Sequence, residues 1–168
     1  MCARPRRQGG FTVIELVAVV AIIAILAAYA APLFVSSNTT FSQRGFADEL
    51  AGSLRLARSV AVATTCDVQV TINAGTYQVL QRAAGAAPAP CQTAGGFVTA
   101  VRRSDGNTLS GYPPAGIAVP GSSTFIFLGG TPPNLTNAGS VAGGVAPPAT
   151  TVGTFTVSVD VDGWVQVQ

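Results

Sequence analysis

The chain has 168 residues, of which only 10% are charged, and it contains neither histidine nor lysine. Without these bases no Ser/His/Asp constellation can form, and no imidazole or amine side chain can act as a general base. The nine basic side chains are all arginine, set against seven acids. Three of those arginines sit in the first seven residues. The remainder of the chain is weakly acidic and lacks the basic surface of a protein that coats nucleic acid.

The first element is apolar. From Phe11 to Ala31 there are 21 residues and one charge, Glu15. At ~1.5 Å per residue such a helix spans a hydrocarbon core of roughly 30 Å. A carboxylate in a segment of this kind is costly and points to a function. Arg4, Arg6 and Arg7 precede it. A secretory signal would need the same basic and apolar regions, with Ala28-Tyr29-Ala30 as its cleavage site. Such a signal has no use for Glu15. A plain single-span anchor, arginines inside, also fits the charge distribution.

Beyond Pro32, Ser36-Ser37-Asn38-Thr39-Thr40 is a weak stretch, read as a bend or a new N-cap. Phe46, Leu50, Leu54, Ala57 and Ala61 then recur at three- and four-residue spacing. This is the apolar stripe of an amphipathic helix, with Arg44, Asp48, Arg55 and Arg58 on other faces. After Cys66 the period changes to two. Val68, Val70 and Ile72 alternate with Gln69 and Thr71. Asn73-Ala74-Gly75 turns the chain, and Tyr77 and Val79 continue a β-hairpin. Residues 83–96 read as a loop around Cys91. Phe97–Val101 and Ser123–Leu128 are further strands. Residues 129–153 are a long Gly/Pro-rich stretch, functional or disordered. Phe155, Val157, Val159 and Val161 alternate, Asp162-Gly163 is a two-residue hairpin signal, and Trp164–Val167 returns. One long helix followed only by strands gives an α+β architecture, the helix packed on an antiparallel sheet.

Arg4–Gly10, the Gly-Phe-Thr-Val-Ile-Glu-Leu string and Pro32 resemble the amino terminus of type IV pilins and pseudopilins. The resemblance implies a leader over residues 1–10, a transmembrane and filament-core helix over 11–35, and a periplasmic head over 36–168. It implies cleavage by a prepilin peptidase between Gly10 and Phe11, and N-methylation of Phe11. Glu15 would serve assembly by pairing with a neighbouring subunit's amino group, and Pro32 would kink the helix. Snorkelling or protonation are the alternatives for Glu15. The implied partners are other pilins or pseudopilins, the inner-membrane assembly platform, the peptidase and the inner membrane itself.

Residues 47–63, above all Leu56-Ala57-Arg58-Ser59-Val60-Ala61, are similar to the GspH/FimT minor pilins and pseudopilins. Val68–Val70, Phe125–Phe127 and the terminal hairpin fit the same subfamily. Its DNA-uptake members use arginines around a terminal Gly-Arg, but here Gly163 is followed by Trp164. Arg102 and Arg103 are the remaining basic pair and the only candidate DNA contacts. Two arginines on an acidic chain supply few phosphate contacts, so DNA is not an expected partner.

Cys2 would leave with the leader that the resemblance implies. In an oxidising periplasm Cys66 and Cys91 have one intramolecular pairing open to them, the alternative being two free thiols. Closing the loop would stabilise the fold by about 3 kcal/mol in the chain-entropy account. Asp160-Val161-Asp162-Gly163 lacks the later acidic ligand of a calcium loop, so a charged turn explains it better. No cofactor, metal or enzymatic activity is expected. The expected role is structural, with a filament-displayed DNA- or surface-binding module as the alternative.

Overall fold

The computed structural model describes residues 11–85, 91–92, 96–130 and 137–168, without side chains for 31–37. The chain divides into two compact units, Met1–Asn38 and Thr39–Gln168. The first helix, α1 (Val13–Thr64), contributes to both. It is helical through Ser36–Thr40, so no new helix is capped there. Ser, Asn and Thr lower helix propensity by only tenths of a kcal/mol per residue. Pro32 is within the helix, but its side chain, and with it the expected kink, lies outside the described residues.

In the second unit the apolar stripe of α1 is the buried one. Phe46, Leu50, Leu54, Ala57 and Ala61 are all nearly inaccessible, as are Ala47 and Ala51. The alanines keep the stripe narrow, so a sheet can approach the helix backbone while Phe46, Leu50 and Leu54 fill the gaps. The stripe joins a core that includes Val68, Val70, Tyr77, Val79, Leu109 and Phe127.

The strands are β1 (Val68–Asn73), β2 (Thr76–Arg82), β3 (Phe97–Ala100), β4 (Ser110–Gly111), β5 (Ser122–Phe127), β6 (Thr150–Val152), β7 (Phe155–Val159) and β8 (Val165–Val167). The larger sheet has the order β3-β2-β1-β5, with β4 also paired to β2. Its pairs are antiparallel. The turn between β1 and β2 has two central residues, Ala74 and Gly75, both at positive φ (47° and 87°). That is the primed turn whose twist matches a right-handed hairpin.

Two expectations are corrected here. The sheet expected as one is two, because β6-β7-β8 form a separate three-stranded sheet. Part of it comes from the stretch read as loop: within 129–153 the chain makes a short helical turn at Ala142–Gly144 and strand β6. The terminal hairpin is also wider than a two-residue turn. β7 ends at Val159, and Val161 and Trp164 fall in the connection. The Asp160 carboxylate causes this. It accepts the N–H groups of Asp162 (2.9 Å) and Trp164 (3.0 Å), and so holds the chain in a side-chain-closed turn.

Helix α1 stops at Thr65, a β-branched residue at φ 54°. The left-handed conformation ends the helix and redirects the chain into β1. Cys66 follows and is joined by a disulfide to Cys91, with the two Cα atoms 5.6 Å apart. The same corner holds Asp67, which accepts the backbone N–H of Gly129 at 3.0 Å and pairs with Arg82 at 2.8 Å. End of helix, start of β1, end of β2 and end of β5 are thus tied at one point.

Candidate assembly segment

The apolar first part of α1 is exposed. Val13–Ala30 has a mean hydropathy of 2.7, and none of that window is buried. Phe11 is 83% exposed, and Ile14, Leu16, Val20, Ile23 and Leu26 are exposed with it. Leaving one such side chain in water forfeits about 1.5–3 kcal/mol of burial. A continuous surface of them needs lipid or other protein. By length and composition it is the one helix among the described residues that can cross a membrane.

Thr12 starts this helix. Its hydroxyl oxygen accepts the Glu15 backbone N–H at 3.3 Å. Thr12 and Glu15 stand at the two positions of a capping box, in which the acidic side chain can reach back to the N-cap amide. The spacing Thr-x-x-Glu thus has a local purpose besides any intermolecular one. A carboxylate in the first turn is also favoured by the helix dipole. The cleavage pair is divided: Phe11 is described, whereas Gly10 lies outside the described residues.

In the head, Arg102 and Arg103 are both engaged. Arg102 donates to the Gly106 carbonyl at 2.7 Å. Arg103 donates to Tyr77 Oη at 3.0 Å, Ser53 Oγ at 3.3 Å and Glu49 Oε1 at 3.4 Å. Tyr77 Oη in turn donates to Glu49 at 2.8 Å and lies 2.9 Å from Ser53 Oγ. This pair, the candidate DNA contacts of the sequence, fastens the loop after β3 and, through Arg103, joins it to α1.

Burial raises the Tyr77 pKa, and the hydrogen bond to and charge of Glu49 add to it; Ser53 and Arg103 pull it down. A group that holds its proton more tightly when folded contributes stability below its unfolded pKa, near 10. That stability is lost as pH rises through the folded value. In an alkaline titration followed by tyrosinate absorbance, the last tyrosine to ionise should therefore coincide with loss of the head's folded signal. Tyr77→Phe should remove that last step and cost about 1–2 kcal/mol at neutral pH. An unchanged titration in that variant would refute the assignment.

Arg58 does work that sequence reading missed. Its Nε donates to the Gly139 carbonyl at 3.0 Å and its terminal nitrogen to the Asp162 carbonyl at 3.2 Å. Its guanidinium lies 4.6 Å from the centre of the Trp164 ring. Arg55 donates to the Val165 carbonyl at 3.1 Å. Arg55 and Arg58 thus tie the helix to β8 and to the turn that precedes it. Only a Trp placed directly after a turn glycine could have hinted at an arginine partner. Among the described residues no three His, Cys, Asp or Glu side chains are grouped to hold a metal.

Residues 5–31 match the prokaryotic N-terminal methylation motif. No curated protein matches the chain significantly. Two crystal forms of the type IV minor pilin FimU of Pseudomonas aeruginosa are similar in structure, each with a TM-score of 0.46. One is 13% identical, covering 74% of this chain and 91% of that one. The other is 15% identical, covering 80% and 92%. An amino-terminal apolar helix followed by an antiparallel β head is the fold that the resemblance in sequence implies.

Proposed function

We propose that this type IV pilin-like chain is a minor pilin or pseudopilin, a structural subunit that enters or primes a type IV pilus or a type II secretion pseudopilus. The observation that carries the reading is the exposed apolar first part of α1, Val13–Ala30, within the methylation motif, with Glu15 four residues after Phe11. Before assembly the inner membrane covers that surface, with the head in the periplasm. Afterwards neighbouring helices cover it. Prepilin peptidase cuts between Gly10 and Phe11, Phe11 is N-methylated, and Glu15 pairs with the amino group of an adjacent subunit. Such a pair offsets much of the cost of burying either charge alone. The role needs no catalytic centre. A DNA-binding role is disfavoured by the engagement of Arg102 and Arg103.

Mass spectrometry of protein extracted from membranes tests this. The expected amino terminus is Phe11 bearing one methyl group. Replacing Gly10 with a bulky residue should leave the full-length precursor in the membrane. A terminus at Ala31, left by ordinary signal peptidase, would overturn the reading.

A further inference from the structure

The outward face of the larger sheet carries no charge across its central rows. Register places Thr76, Asn73 and Ser122 in one cross-strand row. Ser110, Gln78, Thr71 and Thr124 form the next. Leu80, Gln69 and Ile126 form a third. Charge returns at the margins: Arg82, at the end of β2, is paired with Asp67, and Arg102, bridged to Thr108, donates to the Gly106 carbonyl. Solvent-facing sheets ordinarily carry charges, which keep them soluble and deter pairing with other strands.

A shallow groove of 540 Å³ lies on this face, lined by Thr71, Asn73, Thr76, Gln78, Ser110 and Tyr112 among others. Tyr112 is 79% exposed beside it. The floor is firm. Tyr77 is buried beneath, and Gly111 leaves no room for a Cβ against the Tyr77 ring. Among the described residues no side-chain hydrogen bond engages Gln78, Thr71 or the Asn73 carboxamide. Each amide offers two donors and an acceptor, and each hydroxyl offers both.

We propose that this groove binds an uncharged, extended glycan chain. Neighbouring hydroxyls on a sugar ring present alternating donors and acceptors, which planar amides and threonine hydroxyls match. The exposed face of Tyr112 covers the apolar C–H face of a pyranose. Strands about 4.8 Å apart repeat these polar groups at close to the length of one sugar unit. A ligand without charge suits a groove without charge. An acidic polymer would find no cation in the lining, and a basic peptide no carboxylate. An extended β-linked chain fits an open, flat site better than a compact ligand does. The inference goes beyond the filament reading, and its test needs no filament, so each can fail without the other.

The test is calorimetric titration of the processed full chain with cellohexaose and with chitohexaose. A zwitterionic detergent keeps sugar headgroups out of the assay. At least one oligosaccharide should bind with a Kd of about 1 mM or tighter. Tyr112→Ala and Gln78→Ala should each weaken it by about tenfold or more, with melting temperatures held at the parent's. Trp164→Ala, in the hairpin that packs on Arg58, should bind as the parent does. Failure of both sugars to bind overturns the proposal. So does parental affinity in the Tyr112 and Gln78 variants, or loss of binding in the Trp164 variant.

Discussion

Glu15→Ala should yield protein that is cleaved, methylated and held in the membrane, yet absent from filaments. Removing the carboxylate makes insertion easier, because a charge in hydrocarbon is unfavourable. It also leaves the neighbour's ammonium without a partner in an apolar core, at about 3–5 kcal/mol. That corresponds to a loss of incorporation of about two to four orders of magnitude. The capping box offers a competing local account, since Thr12 accepts the Glu15 N–H and Glu15 occupies the third helical position. Glu15→Gln separates the two. It keeps the cap and removes the charge, so the pairing role requires it to fail as the alanine variant does. Crosslinking to other pilins, compared among the parent and both variants, gives the answer. Assembly of the glutamine variant at the parent's level would reduce Glu15 to a helix cap.

Gly129→Ala should strongly destabilise the head. A Cβ at Gly129 would collide with the backbone of Thr65 and Cys66, not with a side chain that can swing aside. Either the end of β5 or the end of α1 must then move. Moving the first breaks the bond from the Gly129 N–H to Asp67, and moving the second disturbs a residue already at φ 54°. Overpacking against backbone costs about 3 kcal/mol or more, a large part of the 5–15 kcal/mol of a typical domain. A fall in Tm of about 10 °C or more is expected. Gly45→Ala is the contrast. Gly45 is exposed in α1 with nothing within 4 Å of an added Cβ, and the change should stabilise by about 0.5–1 kcal/mol. If both variants melt alike, the close approach at Gly129 is not what holds this corner.

The elements legible in the sequence are those whose pattern is local. Phe46 through Ala61 repeat with the period of a helix because one face is buried, and Val68, Val70 and Ile72 alternate because one face of β1 is buried. The methylation motif was legible because its chemistry is written in consecutive residues. The second sheet was not. β6 has three residues within a Gly/Pro-rich stretch, too few for a period to show. Val161 continued the alternation of β7, and nothing local revealed that Asp160 would close the turn before it. Arg58 and Arg103 looked like surface charges because their partners lie far along the chain, in residues 139–164 and 49–77. A guanidinium that donates to carbonyls leaves no trace in the sequence at the accepting end, since every residue has a carbonyl.

The Cys66–Cys91 bridge has a mechanical consequence. In the proposed filament role a subunit would be loaded in tension. The disulfide joins the residue just after α1 to the loop between β2 and β3, a separation of 25 residues. Force that peels the head apart passes through the covalent link and bypasses β1 and β2, which lie between its ends. The β1–β2 hairpin can therefore lose its neighbours under load without itself being drawn out. At about 3.3–3.6 Å per residue, the bond withholds roughly 80–90 Å of chain from extension. A stretched subunit thus stays short and keeps the centre of its larger sheet as a template on which to re-form when the load falls.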